Sequence, residues 1–379
     1  MKSGWQTKPL GELCEVLDHK RKPVTKRDRV AGPYPYYGAT GVQDYVADYL
    51  FDEPLVLVGE DGAKWASGDN TAFAVEGKCW VNNHAHVLRP LRNILLDNWL
   101  VHYFNLSDLS EFVSGLTVPK LNQGNLREIP IPLPPLAEQR RIVGILDEAF
   151  EGLATAKANA EQNLQNARAL FESHLQAVFT QRGHGWVEKP LEEIGTTQTG
   201  STPKTSDRDN FGDFIPFVKP ADFNADGSVD YENDGLSEKG LSTARMVAAG
   251  SVLMVCIGAT IGKCGYCERD ITTNQQTNAL TPTDGSSHRF LYYQMLTEGF
   301  QRKVIHGSGQ ATLPIINKSK WSALPVWLPP TVKDQKRIAA KFDSLLNETQ
   351  RLESLYQRKL AALDELKKSL LHRAFSGQL

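Results

Sequence analysis

One stretch constrains this chain more than any other, because it occurs twice. Pro132-Leu133-Pro134-Pro135-Leu136-Ala137-Glu138-Gln139-Arg140-Arg141-Ile142 returns as Pro325-Val326-Trp327-Leu328-Pro329-Pro330, followed by Asp334-Gln335-Lys336-Arg337-Ile338. Prolines close a preceding unit and are well placed just before a helix, whose interior they cannot occupy. Behind each copy runs a long heptad-patterned segment free of proline until the next module begins, or to the last residue. The chain is therefore read as hung on two long helices.

The rest of the sequence repeats with them. Gly4-Trp5-Gln6-Thr7-Lys8-Pro9-Leu10 returns 181 residues on as Gly185-Trp186-Val187-Glu188-Lys189-Pro190-Leu191. Thr117-Val118-Pro119 returns 195 residues on as Thr312-Leu313-Pro314, and Gln139 returns 196 residues on as Gln335. A period near 190 is the duplication of a whole domain plus helix, with extra loop residues in the second copy. At 379 residues, 41% of them hydrophobic, the chain can build more than one core. The reading is an α+β protein: domain 1–134, long helix 135–180, domain 181–329, long helix with its tail 330–379. The globular modules are mixed α/β, with strands over 55–58, 86–88, 212–218, 252–257 and 277–280, and a helix over 94–104. The apolar run 247–262 is glycine-interrupted and too short to span a bilayer. A polar N-terminus argues against a signal peptide, and five cysteines fit a reducing cytoplasm.

The first helix carries a seam of Ile142, Leu146, Ala149, Leu153, Ala156, Ala160, Asn163, Ala167, Leu170 and His174. The second carries Ile338, Phe342, Leu345, Thr349, Leu352, Tyr356, Lys359, Leu363, Leu366 and Leu370. Alternating steps of four and three make a coiled-coil seam, small on one helix and large on the other. A helix of 45 residues is about 67 Å long, whereas a 150-residue domain has a radius of gyration near 15 Å. Such a domain closes the gap between the first helix's end and the second's start only if the helices are antiparallel. The modules would then lie at opposite ends of a pseudo-twofold rod, with Asn163 facing Thr349 and Ala156 facing Tyr356.

Several apparent active sites fail on spacing. Gly258-Ala259-Thr260-Ile261-Gly262-Lys263-Cys264 has three residues between its glycines where a phosphate loop needs four. Cys264 and Cys267 have metal or redox spacing but no second Cys/His pair nearby. The Asp222 to Asp230 segment resembles half a calcium loop, with Asn233 where a bidentate Glu belongs. His84 and His86 share a strand face without a third ligand in the neighbouring sequence. No catalytic motif emerges. Two rival readings are a coiled-coil scaffold that binds only protein, and a metal-dependent enzyme built on Cys264/Cys267 or the Asp222 loop.

Binding signals are stronger. Lys20, Arg21 and Lys22 form a basic run, with Tyr36, Tyr37 and Thr40 in the glycine-rich turn region that follows and Lys64 further on. Cations for phosphates beside aromatic and polar groups for bases are what a DNA reader needs. In the second module Thr202, Lys204, Lys219 and Lys263 hold comparable places, with Gln310 in a late Gly-Ser loop.

At this point the chain resembles the specificity subunits of type I restriction–modification enzymes. The helix-entry signature carries the resemblance, with Tyr37-Gly38-Ala39-Thr40-Gly41, Gly200-Ser201-Thr202-Pro203-Lys204, Asn274-Gln275 and the tail Leu370 to Leu379. The second signature departs by one inserted residue and by Asp334 in place of Glu. The resemblance implies two target-recognition domains, each reading one half of a split DNA target, and helices that set the spacing. It implies a non-catalytic chain that binds no cofactor. S-adenosylmethionine, ATP and Mg would sit on partners: two modification subunits docked on the helices, and restriction subunits. Between 331 and 373 ten Lys/Arg exceed six Asp/Glu, which fits a partner-facing helix, and a net charge of −2 is tolerable if partners supply phosphate-binding charge.

Overall fold

The computed structural model describes residues 5–115, 117–309 and 313–379. The chain divides into two compact units, Met1–Glu161 with Arg358–Leu379, and Gln162–Gln357. Each is built in the same way.

In the first unit the strands Gln6–Pro9 and Pro130–Leu133 pair antiparallel, bringing the module's start beside its end. An antiparallel four-stranded sheet runs Cys14–Val16, Ala85–Pro90, Leu55–Gly59, Ala72–Val75 in spatial order. Its inner strand Leu-Val-Leu-Val-Gly is buried throughout, as a near-continuous apolar run requires. A second sheet runs Gly41–Val46, Ala31–Gly38, Lys78–Val81, Phe51–Asp52, with Ala31–Gly38 parallel to Lys78–Val81. The second unit repeats both sheets: Gly195–Thr199, Thr277–Pro282, Ser251–Val255, Cys264–Cys267, then Gly235–Leu236, Phe211–Val218, Ile271–Thr273, Met246–Val247. The duplication in the sequence is thus a duplication of topology.

The helix expected over 94–104 spans Asp97–Leu106. It starts late because Ile94 turns back onto Leu91, while the N–H of Leu96 is taken by the side chain of Gln139. The long helices are Leu136–Gln181 and Val332–Ser376. In the first unit Ile142 and Leu146 pack into one core with Trp99, Leu371, Ala374 and Phe375. In the second, Leu175, Phe179, Ala339 and Phe342 share a core with Phe290, Tyr293 and Trp321. Each domain core is therefore closed by both helices. No helix among the described residues is long and apolar enough to cross a membrane.

Within each unit the helix segments are antiparallel. Arg141 donates to the Leu379 carbonyl and Lys157 pairs with Asp364, so numbers fall on one helix as they rise on the other. Arg168 pairs with Glu353 while Phe179 stacks on Phe342, the same sense. The expected seam needs correction. Ile142, Leu146, Phe342 and Thr349 are buried, and Ala156, Tyr356, Leu363 and Leu370 are half-buried. Asn163 and Leu170, however, are exposed, and so are His174, Lys359 and Leu366. Their places are taken by Leu164, Phe171, Leu175, Leu360 and Lys367, one residue on. A strict 3.5-residue seam requires supercoiling, whereas a straighter helix at 3.6 residues per turn drifts about 20° per heptad. At these positions the inward face has moved to the next residue, while Ala160 and Ala167 stay buried as expected. Phe342 meets Phe171 and His174 edge to ring and stacks on Phe179.

Candidate nucleic-acid interface

The first basic run is split by its own geometry. Lys20 and Lys22 are exposed, but Arg21 turns inward. Its guanidinium is 12% exposed and pairs with Glu60 and Asp18, and Nη1 donates to the Ala85 carbonyl at 2.8 Å. Lys120 closes on the other oxygen of Glu60 at 2.8 Å. His86, fully buried, points Nδ1 at Asp18 (2.6 Å) and Nε2 at the Leu121 carbonyl (2.7 Å). That carbonyl only accepts, so Nε2 carries a hydrogen. Burial pushes the Asp18 carboxyl up, but His86, the Val87 N–H and Arg21 outweigh it and hold Asp18 below the ordinary carboxyl value. Arg21 is consequently a structural cation rather than a phosphate ligand. Asp18, Glu60 and His86 have donor types that would suit a metal, but Arg21 and Lys120 already balance the two carboxylates there.

Tyr36 also needs correction. Strand alternation points it inward, where it is 1% exposed beneath the Arg29 guanidinium at 4.1 Å, with its hydroxyl on the Val24 backbone. Tyr37, on the other face, is half-buried against Phe73. Thr40, in the turn before Gly41, and Lys64 are exposed. Sequence reasoning missed the aromatic group on the neighbouring strand and turn: Tyr45 is 56% exposed, and Tyr49 lies under Lys78 Nζ at 4.6 Å.

In the second unit the Gly200 to Lys204 loop is pinned through its backbone. Gly200 N–H donates to Thr277 and Ser201 N–H to Thr273. A Cβ at Gly200 would come within 2.2 Å of the Asn274 carbonyl oxygen, so only glycine fits. Thr202 is exposed and donates to Gln275 Oε1 at 2.6 Å. Lys204 is exposed with its carbonyl buttressed by Asp207 and Asn210. Arg245, another residue the sequence reading missed, donates through Nη1 to Thr199 and through its N–H to Ser201 Oγ. Lys219 is paired with Asp234 at 2.6 Å. Lys263 is half-buried and donates to the Pro220 carbonyl at 2.9 Å, so it packs a turn rather than facing a ligand. Gln310 lies outside the described residues.

The enzyme-like motifs resolve into architecture. Cys264 and Cys267 sit three apart on one strand, facing different cores, so their thiols cannot share an ion. Burial pushes the thiols of Cys256 and Cys267 up to about 12 and about 11, the reverse of a reactive thiolate. Asp222 accepts from the Lys219 N–H and from Asn233 Nδ2, so the residue standing where a calcium ligand belongs donates a hydrogen bond instead. In the phosphate-loop look-alike the N–H groups of Gly258 and Gly262 are spent on the carbonyls of Pro314 and Val255.

What remains at the surface of each unit is a set of loops carrying cations, hydroxyls and aromatic rings on a rigid sheet scaffold. Two stretches of the chain, residues 2–165 and 183–360, match the family model of the type I restriction modification DNA specificity domain. The chain belongs to that family. A putative type I restriction enzyme specificity subunit of Haemophilus influenzae, S.HindORF215P, is 41% identical over 140 residues, which is 37% of this chain and 36% of that protein. The HindI specificity subunit of the same organism is 28% identical over 204 residues, 52% of this chain and 42% of the relative. These two alignments thus span less than half of either relative's length. The EcoDI specificity subunit of Escherichia coli aligns with 99% of this chain and 88% of its own length, at 23% identity. The fold is that of the HsdS subunit from Thermoanaerobacter tengcongensis, with TM-score 0.60, 19% identity, and 100% and 98% of the two chains covered. A chain from a structure of a type I R-M system, concerned with complex assembly and conformational transition, gives TM-score 0.71 at 20% identity over 100% and 99%. Specificity-family membership accounts for the two matched units.

Proposed function

We propose that this chain is the non-catalytic DNA-recognition subunit of a type I restriction–modification enzyme, acting in the cytoplasm. Each unit reads one half of a bipartite duplex target, and the long helices fix the separation of the halves and dock two modification subunits. Those subunits carry S-adenosylmethionine; restriction subunits carry ATP and Mg. The chain itself contributes no cofactor site. One observation carries the reading: the same two-sheet topology occurs twice, and each copy falls within a separate match to the DNA specificity domain. A duplicated reader joined by stiff helices suits a target in two parts. Lys20, Lys22, Thr40, Lys64, Thr202 and Lys204 are the contacts left by the corrections above, with Tyr37 at the margin.

Methylome sequencing of cells with and without the chain tests this. A bipartite methyladenine motif should appear only when the chain is present together with its modification subunits. A motif unchanged by deleting the chain would refute the reading.

A further inference from the structure

The second unit carries a basic groove that the sequence reading does not include. A cavity of about 770 Å³ is lined by Arg302, Lys303, His306 and Lys320, with buried Ile316 in its floor. A smaller one of about 260 Å³ shares Arg302 and Lys303 and adds Arg182 from the end of the first long helix. Five basic side chains line the two cavities and no carboxylate does. The nearest acid on the same helix, Glu298, meets Arg302 at 3.5 Å, but both side chains are largely exposed, so the pair is weak.

Arg182 is fixed rather than free: its Nε donates to the Phe179 carbonyl and its guanidinium lies 4.0 Å over the Trp327 ring. Lys320 Nζ is held toward the Gly307 carbonyl at 3.4 Å. Five basic groups and no carboxylate suit a polyanion's backbone, and of the amides and hydroxyls beside them Gln294 is spent on the Trp327 N–H and Thr297 on the Gln294 carbonyl. Among the described residues, the segment of the first unit that matches Arg302 to His306 does not repeat these cations. There the segment before the matching Thr-Val-Pro loop is Ser107-Asp108-Leu109-Ser110-Glu111, with two acids and no cation.

We infer that the Arg182–Arg302–Lys303–His306–Lys320 groove holds the sugar-phosphate backbone of duplex DNA flanking the half-site read by the second unit. The inference rests on the DNA-recognition reading above. It makes contact with DNA asymmetric: the groove adds phosphate contacts on the second unit's flank beyond those that Lys20 and Lys22 make from the first unit.

The test uses the chain assembled with its modification subunits and two duplexes, one carrying the methylated motif and one scrambled. Binding is measured between about 50 and 200 mM salt, a range over which phosphate contacts lose affinity steeply. The triple variant R302Q/K303Q/K320Q should bind both duplexes more weakly by the same factor, with a log–log salt slope shallower by about 2–3. In the unaltered complex, shortening the duplex on one side of the motif should reproduce that shallower slope, and shortening the other side should not. An unchanged slope with motif binding retained overturns the groove and leaves the reading intact. So does a variant that loses its modification subunits while its DNA slope stays the same, which would make the occupant an acidic protein surface. A complex that never prefers the motif duplex overturns the reading itself.

Discussion

The side-chain oxygen of Gln139 accepts the backbone N–H of Leu96 at 2.9 Å, four residues after the proline pair that opens the first long helix. The same amide donates to the carbonyls of Ile94 and Pro134, each at 2.8 Å, and is fully buried. The repeated residue, Gln335, accepts the N–H of Ser287 at 2.8 Å. The glutamine of the doubled signature is therefore a bolt between helix and domain. Gln139→Ala would strand buried backbone groups and should destabilise the first unit by about 1–3 kcal/mol, read from urea unfolding. Gln139→Glu, which keeps the acceptor but loses the donors, should not restore it.

The three adjacent cations should separate cleanly. Arg21→Ala leaves Asp18 and Glu60 short of a buried partner and should cost about 3–5 kcal/mol of stability. Lys20→Ala and Lys22→Ala should leave the melting temperature in place and weaken binding to cognate and scrambled duplexes alike. A stable Arg21→Ala protein with selectively altered target choice would contradict this division.

Acid should attack the same cluster. Asp18 is held below its ordinary value of 3.8 in the folded state, so its contribution is complete above that value and is lost as pH falls through the lower folded pKa. Asp18→Asn should reduce stability at neutral pH and flatten the acid limb of a stability–pH profile measured by chemical denaturation.

The helix seam makes a contrasting pair. Leu175 is 3% exposed and Leu170 is 51% exposed, though the strict heptad favours the region of Leu170 and His174. Leu175→Ala should cost about 2–5 kcal/mol, whereas Leu170→Ala should stay within about 0.5 kcal/mol. Equal losses would restore the strict seam.

Lys204 stands on a loop whose backbone is pinned to the sheet, with its own side chain in solvent. Lys204→Ala should reduce affinity without unfolding the second unit. If the side chain reads a base it should cost about 1–3 kcal/mol at one target position, measured on a panel of single-base duplex variants. No change on any duplex would remove it from the interface.

By itself the sequence determined the duplication, the domain-and-helix order and the two helix starts, because proline punctuation and apolar periodicity act through local backbone geometry. It also determined the family, through motifs whose spacing survives in linear order. The antiparallel pairing followed from chain connectivity, and it holds inside each unit. Only the tertiary structure decided which cations face water. Arg21 and Lys20 are neighbours of the same type in the chain, yet Glu60 and Ala85 lie far along the sequence from Arg21 and draw it inward. The same holds for Tyr36, whose fate depends on a parallel strand at Lys78–Val81. The groove of Arg182, Arg302 and Lys320 joins residues more than a hundred positions apart, and no linear pattern marks it. Periodicity fixes a face, but packing against distant strands fixes what that face meets.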